Sequence, residues 1–498
     1  MNISLILQMA ADTDPERVGL VCEGRRWSYG ALSRAAQGAA LNISKSTCSH
    51  VALLDESSEA SAIALFAAAM TGLPYVPLNY RLSNADLGAL LSRIAPAYVI
   101  GDDERIRQLS PKGAHVVRNR ATFVAEAEEA VDGAISTEDP EDGIAVQLFT
   151  SGTTAAPKAA LLRHSNLVSY ILATVEFGSA SSEEAALVSV PPYHIAGIAA
   201  LLSSVYAMRR IVLLPAFEPD DWLALAAAEK VSNAFLVPTM LSRIIARMDA
   251  GATNSLSALR SIAYGGGRMP VELIERALQL LPDTGFTNAY GLTETSSTIA
   301  LLGPEEHRAA QGSSDPVVRA RLGSVGRPLP TVEIEIRDDE GKRLPTGERG
   351  EIYVRGDQVS GEYRERSALD SQGWFPTRDA GWMDADGYLF LAGRADDVIV
   401  RGGENISPGE IEDVLLSHPV IADAAAVGVP SVEWGEAVGI AIVAKPNQPL
   451  PSHDELRALI RARLRSSRVP ERIAVLDALP YNEMGKLLRR EVRKLFQN

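Results

Sequence analysis

Residues 148–164, LFTSGTTAAPKAALLRH, place hydroxyl side chains around one glycine, followed by a lysine. The residues concerned are Thr150, Ser151, Gly152, Thr153, Thr154 and Lys158. Hydroxyl and backbone donors next to a lysine suit the binding of phosphate oxygens. The familiar P-loop needs a second glycine and a serine or threonine after the lysine, but here Ala159 follows Lys158. On this stretch alone, a phosphate-binding loop and a polar surface turn are equally good interpretations.

Other stretches also combine glycine with residues that could do chemistry: PPYHIAG (191–197), AYGGGRMP (263–270), NAYGLTET (288–295), a long segment at 374–412 and YNEMGKLLRR (481–490). Glu294 could bind a Mg²⁺ ion that neutralises a triphosphate, or it could be an ordinary acidic residue in the first turn of a helix. The glycines at 265–267 could let the backbone approach a flat ligand, or they could form a strand-to-helix turn.

The remaining candidates also have structural alternatives. His194 could line a pocket, or it could be a core histidine with satisfied hydrogen bonds. Asp379 and Arg394 flank a predicted hairpin that could pair them as a ribose-and-phosphate site, although a surface ion pair gives the same pattern. Lys486 follows a glycine, and the arginines after it also fit the start of a basic amphipathic helix. No single stretch decides in favour of chemistry.

Length and composition limit the classes of protein. A chain of 498 residues is too long for one typical core, so two or more domains are expected. The formal charge of −15 argues against a nucleic-acid binder that neutralises phosphates. Cys22 and Cys48 predict neither a disulfide framework nor a zinc site. Without a basic leader, and with the longest apolar stretch near 62–70, we expect a cytoplasmic protein with no membrane span.

Short strands and helices alternate from about residue 50, which predicts parallel sheets covered by helices. Strands are expected at 51–54, 75–78, 97–100 and 144–149, with helices at 60–70 and after Ser83. Between 323 and 393, alternating segments such as VEIEIR, EIYVRG and GYLFLAG are separated by turn residues. They predict a β-rich subdomain.

The last hundred or so residues predict a small α+β domain. GGEN (402–405) predicts a hairpin turn, and Ser407 with Glu410 predicts a capping box before a helix that begins at Pro408. Ser452 with Glu455 predicts a second capping box. The expected fold class is therefore α/β. A large N-terminal domain at 1–394 includes the β-rich subdomain at about 323–393, and a small C-terminal domain follows at 395–498 on a hinge.

In order and spacing, these stretches resemble the motifs of the ANL superfamily of adenylate-forming enzymes, which includes acyl-CoA synthetases, luciferases and peptide-synthetase adenylation domains. The resemblance covers essentially the whole chain, and GGENISPGEIE and PPYHIAG look closest to the CoA-ligase branch. It implies an ATP-dependent acyl-CoA synthetase that makes an acyl-adenylate from a carboxylic acid, releases pyrophosphate and transfers the acyl group to CoA, with Mg²⁺. One rival is a relative that delivers the acyl group to a carrier protein or a separate thiolating partner. The other is a nucleotide-binding regulatory protein without catalysis.

The resemblance also implies a role for each candidate residue. The loop formed by Thr150, Ser151, Gly152, Thr153 and Thr154, here called the hydroxyl loop, would hold the β- and γ-phosphates of ATP together with Lys158. The nucleotide would further contact Gly266, Gly267, Tyr290, Gly291 and, at its α-phosphate, Thr293. Asp379 would bind the ribose with help from Arg394, and Glu294 would bind Mg²⁺.

The remaining implied roles concern acyl transfer and domain movement. Lys486 would bridge the substrate carboxylate and the α-phosphate, and Asp396 would be the hinge. The Gly402, Gly403 and Glu404 loop would face the site during thioester formation. The acyl pocket would include His194, Ala196 and Gly197, and His194 would also gate the approach of the thiol.

Some residues depart from the family pattern. Ala155 and Arg378 stand where glycine is common, and Arg268 stands where a small residue is usual. Relatives that activate amino acids carry an aspartate near the position of the pocket histidine. Tyr193 and Ile195 flank that histidine here, which argues against an α-amino acid substrate. The small and apolar residues nearby predict an uncharged acid.

Overall fold

The computed structural model describes residues 1–109, 115–129, 142–150, 157–252, 255–394, 397–401, 404–446, 448–482 and 487–497. Its helices are α1 (Ser4–Thr13), α2 (Tyr29–Ser44), α3 (Glu59–Met70), α4 (Asn84–Arg93), α5 (Asp103–Leu109), α6 (Arg120–Glu129), α7 (His164–Thr174), α8 (Ile195–Tyr206), α9 (Pro219–Ala228), α10 (Pro238–Asp249), α11 (Val271–Leu280), α12 (Pro304–Gly312), α13 (Pro316–Ala320), α14 (Pro408–Leu416), α15 (His453–Arg463) and α16 (Arg489–Lys494).

The strands up to the end of the parallel sheets are β1 (Val18–Cys22), β2 (Arg25–Ser28), β3 (His50–Leu54), β4 (Tyr75–Pro77), β5 (Ala97–Gly101), β6 (Val116–Asn119), β7 (Ile144–Thr150), β8 (Lys158–Arg163), β9 (Ala185–Val188), β10 (Arg210–Leu213), β11 (Asn233–Leu236), β12 (Ser261–Gly265), β13 (Gly285–Leu292), β14 (Ser297–Leu302) and β15 (Arg327–Pro328). The later strands are β16 (Glu333–Arg337), β17 (Gly350–Arg355), β18 (Glu362–Tyr363), β19 (Phe375–Met383), β20 (Leu389–Arg394), β21 (Ile399–Arg401), β22 (Glu404–Ile406), β23 (Ile421–Ser431), β24 (Gly435–Ala444) and β25 (Arg472–Val475).

Two large sheets are mostly parallel, as the alternation of strands and helices predicts. Among the described residues, the first sheet has the order β15-β14-β13-β12-β11-β9-β10-β1-β2, and the second has β18-β8-β7-β4-β3-β5-β6. Antiparallel pairs occur towards the margins, between β1 and β2, along β13-β14-β15, and along β7-β8-β18. The carboxyl ends of the parallel strands therefore meet at common edges, where α/β proteins bind ligands.

Helix α3 lies between the two large sheets. Its sequence EASAIALFAAAM is apolar on almost every face, and every residue from Ala60 to Met70 is buried. A helix that is apolar all round needs neighbours on all sides. One continuous core joins residues of the first sheet, such as Leu20, to residues of the second, such as Val51. The two sheets are thus parts of one packed unit.

The predicted β-rich subdomain is a third, antiparallel sheet with the order β16-β17-β19-β20. The three segments expected to be strands there correspond to β16, β17 and β20. Its apolar face includes Ile336, Ile352 and Leu389, which pack with Ile299 of the first sheet. This sheet therefore packs against the edge of the first sheet.

The C-terminal part forms a fourth sheet, β22-β21-β24-β23, with β25 beside β24. The sheet and helices α14 and α15 share a separate core that contains Ile411, Ile440 and Ile460. The capping box at Ser452 and Glu455 is confirmed. Residues 402–403 lie outside the described residues, but the antiparallel pairing of Arg401 with Glu404 on either side of them is that of a hairpin.

The predicted capping box at Ser407 and Glu410 is wrong, although α14 begins at Pro408 as predicted. The Ser407 hydroxyl donates to the carbonyl oxygen of Ala392 at 2.5 Å. Glu410 Oε1 instead accepts from Arg468 Nε at 2.9 Å. Both side chains therefore bond to residues distant in the chain and do not cap the helix. A local sequence pattern contains no information on such partners.

None of the helices in the described ranges combines the length and the apolarity needed to cross a bilayer.

Candidate active site

Several of the predicted site residues that the structure describes lie at or beyond the carboxyl ends of neighbouring parallel strands. β9 runs into the segment that carries His194, and β12 ends at Gly265. β13 ends at Leu292, and a one-turn 3₁₀ helix, Thr293–Thr295, follows it directly. This edge of an open parallel sheet is the usual position of a ligand-binding crevice.

The two ends of the hydroxyl loop face each other. Thr150 is the last residue of β7, and its partner across the antiparallel pair is Lys158, the first residue of β8. The stretch between them, including Ser151, Gly152, Thr153, Thr154 and Ala155, lies outside the described residues. Thr150 and Lys158 thus lie opposite each other at the ends of two antiparallel strands.

Glu294 is buried, with 8% of its surface exposed, and is held at both its side chain and its backbone. The Tyr363 hydroxyl donates to Glu294 Oε1 at 2.6 Å. The N–H groups of Ser360 and Gly361 donate to the Glu294 carbonyl oxygen at 2.9 and 3.1 Å. Lys158 Nζ lies 5.7 Å from the centre of the Tyr363 ring. Tyr363 therefore stands between the carboxylate and the lysine.

The carboxylate of Glu294 fits the chemistry of a magnesium ligand. Within the described ranges, Oε1 has the Tyr363 hydroxyl as partner and no hydrogen bond is made to Oε2. Those ranges also contain no group of three or more His, Cys, Asp and Glu side chains arranged to hold a metal. Mg²⁺ commonly binds through one or two carboxylates together with substrate phosphates and water. Glu294 could hold the ion in this way beside a nucleotide.

Gly291 is required by the close packing of β13 on β14. Its partner region contains Ser296 and Ser297, whose φ angles are 55° and 108°. A Cβ atom at Gly291 would overlap the carbonyl group of Ser297. The glycine therefore lets the chain turn tightly just before Thr293 and Glu294.

Gly291→Ala is expected to lower the free energy of unfolding by about 1–3 kcal/mol, the usual cost of overpacking. Urea unfolding followed by circular dichroism measures this change. Gly312→Ala is the matched control, because a Cβ there meets nothing within 4 Å. Equal unfolding midpoints for the two variants would contradict the packing argument.

Asp379 and Arg394 are direct partners across β19 and β20, which confirms that the predicted hairpin brings them together. The Tyr290 hydroxyl donates to Asp379 Oδ2 at 2.7 Å. The Asp379 N–H donates to the Thr377 hydroxyl oxygen at 3.1 Å. The side chain of Arg394 lies outside the described residues. A carboxylate of the third sheet is thus fixed next to a tyrosine of the first.

The backbone conformation of Arg378 accounts for the glycine that is common at this position in the family. Its φ angle is +61°, in the left-handed region, which costs a residue with a Cβ roughly 1–2 kcal/mol. The Arg378 N–H donates to Glu351 Oε1 at 3.1 Å, and the guanidinium lies 3.7 Å from the same oxygen. A register shift next to Glu351 accompanies this conformation. Glu351 therefore compensates for part of the strain.

The glycines at 265–267 form a strand-to-helix turn between β12 and α11. A Cβ at Gly265 would overlap the carbonyl oxygen of Ala289, and Gly266 has a φ angle of +77°. Both glycines are thus needed by the backbone. The next residue after the glycines, Arg268, pairs with Asp413 of α14.

His194 is not a core histidine with satisfied hydrogen bonds. It precedes α8, and its Nε2 atom is buried without a hydrogen-bond partner among the described residues. The Tyr193 ring lies 4.5 Å away, centre to centre. Burial, with a smaller contribution from nearby Arg81, lowers the pKa of His194 to about 3. The imidazole is therefore neutral and has an unused nitrogen.

The start of α8 also lines a small, mainly apolar cavity. Gly197 and Ile198 contribute to it together with Ser57, Ser61, Tyr75 and Val190. A Cβ at Gly197 would lie 3.0 Å from the carbonyl oxygen of Pro191, so a larger residue would disturb this wall. Ala196 is half-buried. Of the three predicted acyl-pocket residues, Gly197 is the one that lines this cavity.

The depressed pKa of His194 predicts a pH dependence of stability. Because the folded-state pKa lies below the unfolded value of 6.5, the unfolded chain takes up the proton first, and stability falls as pH drops below about 6.5. His194→Gln should remove about 2 kcal/mol of the stability loss between pH 7 and pH 5. Urea unfolding at both pH values measures it. His453→Gln, at an exposed position, should keep the wild-type loss, and a similar result for His194→Gln would contradict the prediction.

The predicted residues of the C-terminal part are described only in part. Asp396, Gly402, Gly403 and Lys486 lie outside the described residues. Glu404 belongs to β22 and pairs with Arg468, which lowers the pKa of the carboxyl group. Arg468 also contacts Glu410. Glu404 is thus fixed to its own domain.

Sequence reasoning did not single out Tyr363. Its segment GEYRERS (361–367) has no distinctive pattern. Tyr363 reaches Glu294 and Lys158 because β18 pairs with β8, with Tyr363 opposite Ala160. Only knowledge of this long-range pairing would have revealed the residue.

Known families and proteins match this chain over nearly its whole length. The model of the AMP-binding enzyme family matches residues 7–364, and the model of the AMP-binding enzyme C-terminal domain matches residues 410–486. The chain is 32% identical to a fatty acid–[acyl-carrier-protein] ligase of Streptomyces coeruleorubidus, over 98% of this chain and 95% of that protein. It is also 32% identical to 2-succinylbenzoate–CoA ligase of Geobacillus kaustophilus, over 98% and 97% of the two chains.

Among solved structures, the fold is similar to that of O-succinylbenzoate coenzyme A synthetase from Bacillus subtilis in complex with ATP and magnesium ion. The TM-score is 0.83 at 28% identity, and the match covers 99% of each chain. The match thus includes both the large domain and the C-terminal domain. The chain therefore belongs to the AMP-binding enzyme family, and it is an AMP-forming acid–thiol ligase.

Proposed function

We propose that this chain, in the cytoplasm, activates an uncharged carboxylic acid as an acyl-adenylate with release of pyrophosphate, and then transfers the acyl group to the thiol of CoA. The observation that carries this proposal is the arrangement around β13. Tyr290 holds the Asp379 carboxylate, and Glu294 follows a few residues later with Tyr363 and Lys158 beside it. This arrangement suits a nucleotide with its ribose at Asp379 and its phosphates towards Lys158.

The reaction requires two anions to meet. A carboxylate is a poor acyl donor, and its attack on the α-phosphate of ATP converts it into an acyl group with AMP as leaving group. Cations and hydrogen-bond donors must therefore surround the reacting oxygens. We assign Thr293 to the α-phosphate, and Thr150, Lys158 and the loop between them to the departing pyrophosphate. Mg²⁺ held by Glu294 would offset the charge of the triphosphate when bound.

Lys486 completes this set in our proposal. A lysine is a compact charge that can contact two oxygens at once, and we assign it to the carboxylate and the α-phosphate. The domain that carries it, residues 395–498, would turn at Asp396 after adenylation. The Gly402, Gly403 and Glu404 loop would then face the site for thioester formation. Movement about a hinge is a common way to serve two steps with one site.

The proposed acid is uncharged apart from its carboxylate. The residues that line the cavity at the start of α8 are mainly apolar, and the neighbouring His194 is neutral. A second charged group in this environment would lose its hydration without a paired partner, which is costly. Aliphatic, alicyclic and aromatic monocarboxylic acids are therefore the substrate class that we propose.

Pyrophosphate release with a panel of acids tests the proposal. Each monocarboxylic acid is compared with a dicarboxylic acid of similar size, with ATP and Mg²⁺, in the presence and absence of CoA. We expect release with some monocarboxylic acids, a weaker response to their dicarboxylic counterparts, and faster turnover with CoA. Release that is stimulated by a phosphopantetheinylated carrier protein but not by CoA would favour the carrier-protein alternative, which the similarity to the Streptomyces ligase supports. Absence of release with every acid would contradict the adenylation step.

A further inference from the structure

Arg268 joins the turn after β12 to the C-terminal domain. Its guanidinium makes an ion pair with Asp413 of α14 and lies 3.8 Å from Glu412 Oε2. A Cβ at Gly409, in the first turn of the same helix, would overlap this guanidinium. Gly409, Glu412 and Asp413 are three and four residues apart, so they share one face of the helix. Arg268 therefore lies directly on that face.

The contact continues inside the C-terminal domain. Glu412 is 5% exposed, and its Oε2 accepts from Arg489 Nη2 at 2.9 Å. Its Oε1 accepts from the Ala426 N–H at 2.8 Å, and Arg489 Nε lies 3.8 Å from Asp397 Oδ2. Buried ion pairs of this kind hold a fixed geometry when their hydrogen bonds are satisfied.

The same network includes residues that are close in sequence to Lys486 and to Asp396. Arg489 is three residues after Lys486 in the sequence, and Asp397 directly follows the proposed hinge residue Asp396. A chain of contacts thus runs from Arg268, which follows the turn at 265–267, through Glu412 and Arg489 to Asp397. In the observed orientation, the C-terminal domain contacts Arg268 directly after the turn at 265–267, whose Gly266 and Gly267 the family resemblance assigns to the nucleotide. We call this turn the nucleotide turn.

We propose that Arg268 is a positioning residue for acyl-adenylate formation. It docks α14 on the nucleotide turn and so stabilises the domain orientation in which Lys486 serves the first half-reaction. This inference rests on the proposed function, because it assumes that the two half-reactions use different orientations. The arginine replaces the small residue usual at this position, so the docking contact is a feature of this chain.

The size of the expected effect follows from the exposure of the pair. The Arg268 and Asp413 side chains are 47% and 48% exposed, so their ion pair is weak and can break when the domain turns. Its loss should shift the balance between orientations and slow adenylate formation by about 2- to 5-fold, the effect of losing one exposed ion pair. Thioester formation does not need this orientation and should keep its rate or rise.

The first test measures the half-reactions separately in Arg268→Gln, Asp413→Asn and the double variant. Adenylate formation is followed by pyrophosphate release in a single turnover without CoA, and thioester formation is followed from supplied acyl-adenylate. We expect a similar loss of adenylation rate in all three variants, because each removes the ion pair between Arg268 and Asp413. The KM for ATP should stay unchanged in Asp413→Asn, because Asp413 belongs to α14 and is not itself part of the nucleotide turn. Arg268→Lys should recover part of the rate.

Arg276→Gln is the matched control, because Arg276 is a half-exposed arginine of α11 that pairs within the large domain, with Asp249. Both half-reactions of the Arg276→Gln variant should proceed at wild-type rates. Equal losses in both half-reactions for Arg268→Gln, or additive losses in the double variant, would overturn the inference.

The second test locks the observed orientation. Arg268→Cys and Asp413→Cys are combined in a Cys48→Ser background, since Cys48 is partly exposed whereas Cys22 is buried. A short bismaleimide then links the two new thiols. The linked enzyme should form acyl-adenylate once and fail to transfer the acyl group to CoA, whereas each single-cysteine variant with the same reagent should do both. A linked enzyme that transfers the acyl group at the wild-type rate, or that cannot form the adenylate, would overturn the inference.

Failure of this inference and failure of the proposed function give different results. If the wild-type chain makes no acyl-adenylate from any acid in the panel, the proposed function fails. If the wild type performs both half-reactions and the Arg268 variants match it, the proposed function stands and Arg268 has no positioning role.

Discussion

Lys486→Ala is expected to slow acyl-adenylate formation by about 10²–10³-fold, the effect of removing one donor that stabilises charge in a transition state. Thioester formation from supplied acyl-adenylate should continue at its normal rate, because the proposed role of the lysine belongs to the first step only. Single-turnover pyrophosphate release and CoA consumption measure the two steps independently.

Lys494→Ala provides the control for this experiment. Lys494 is an exposed lysine of α16 that pairs with Glu491 at 2.7 Å, and its loss should leave both half-reactions intact. If Lys486→Ala impairs the two half-reactions equally, the idea that they use different domain orientations is wrong for this protein.

Glu294→Gln is expected to lower the rate of adenylate formation by about 10²-fold, because a bound metal ion contributes several kcal/mol of charge stabilisation and a neutral amide holds the ion less firmly than a carboxylate. The amide oxygen can still accept from the Tyr363 hydroxyl, and the backbone bonds to Ser360 and Gly361 are unaffected. The fold should therefore persist. The variant should also need more Mg²⁺ for half-maximal pyrophosphate release.

A Mg²⁺ titration of pyrophosphate release measures this effect, and urea unfolding verifies that the variant is folded. Glu305→Gln, an exposed glutamate in the first turn of α12, should retain the wild-type titration curve. An unchanged Mg²⁺ requirement in Glu294→Gln would remove Glu294 from the metal site.

Much of the fold could be predicted because local pattern and tertiary structure agree. Helix α3 was expected from an apolar run with a length typical of a helix, and the hairpin of β19 and β20 from alternating residues around turn signals. The pairing of Asp379 with Arg394 followed from that hairpin. These features depend on residues close together in the chain, where periodicity is informative.

The rest depends on contacts between distant residues. The Ser407 hydroxyl could accept a local hydrogen bond from the Glu410 N–H or donate a long-range one to the Ala392 carbonyl oxygen. The sequence alone does not rank these two bonds. Tyr363 contacts Glu294 only because β18 pairs with β8. Arg268 was recognised as a departure from the family pattern, but its partner lies on α14, 145 residues further along the chain. That His194 is not a core histidine with satisfied hydrogen bonds follows only from the observation that its Nε2 has no partner among the described residues.

The pairing of Asp379 with Arg394 also bears on the order in which products leave. Asp379 lies on β19, and β20 ends at its partner, just before the proposed hinge. A domain that turns about the backbone bonds after Arg394 leaves the carboxylate of Asp379, and the hydroxyl of Tyr290 that holds it, where they were. AMP bound there would stay in place throughout the turn and during attack by the thiol. Pyrophosphate would then be the first product released, and AMP would leave only after the acyl group has been transferred.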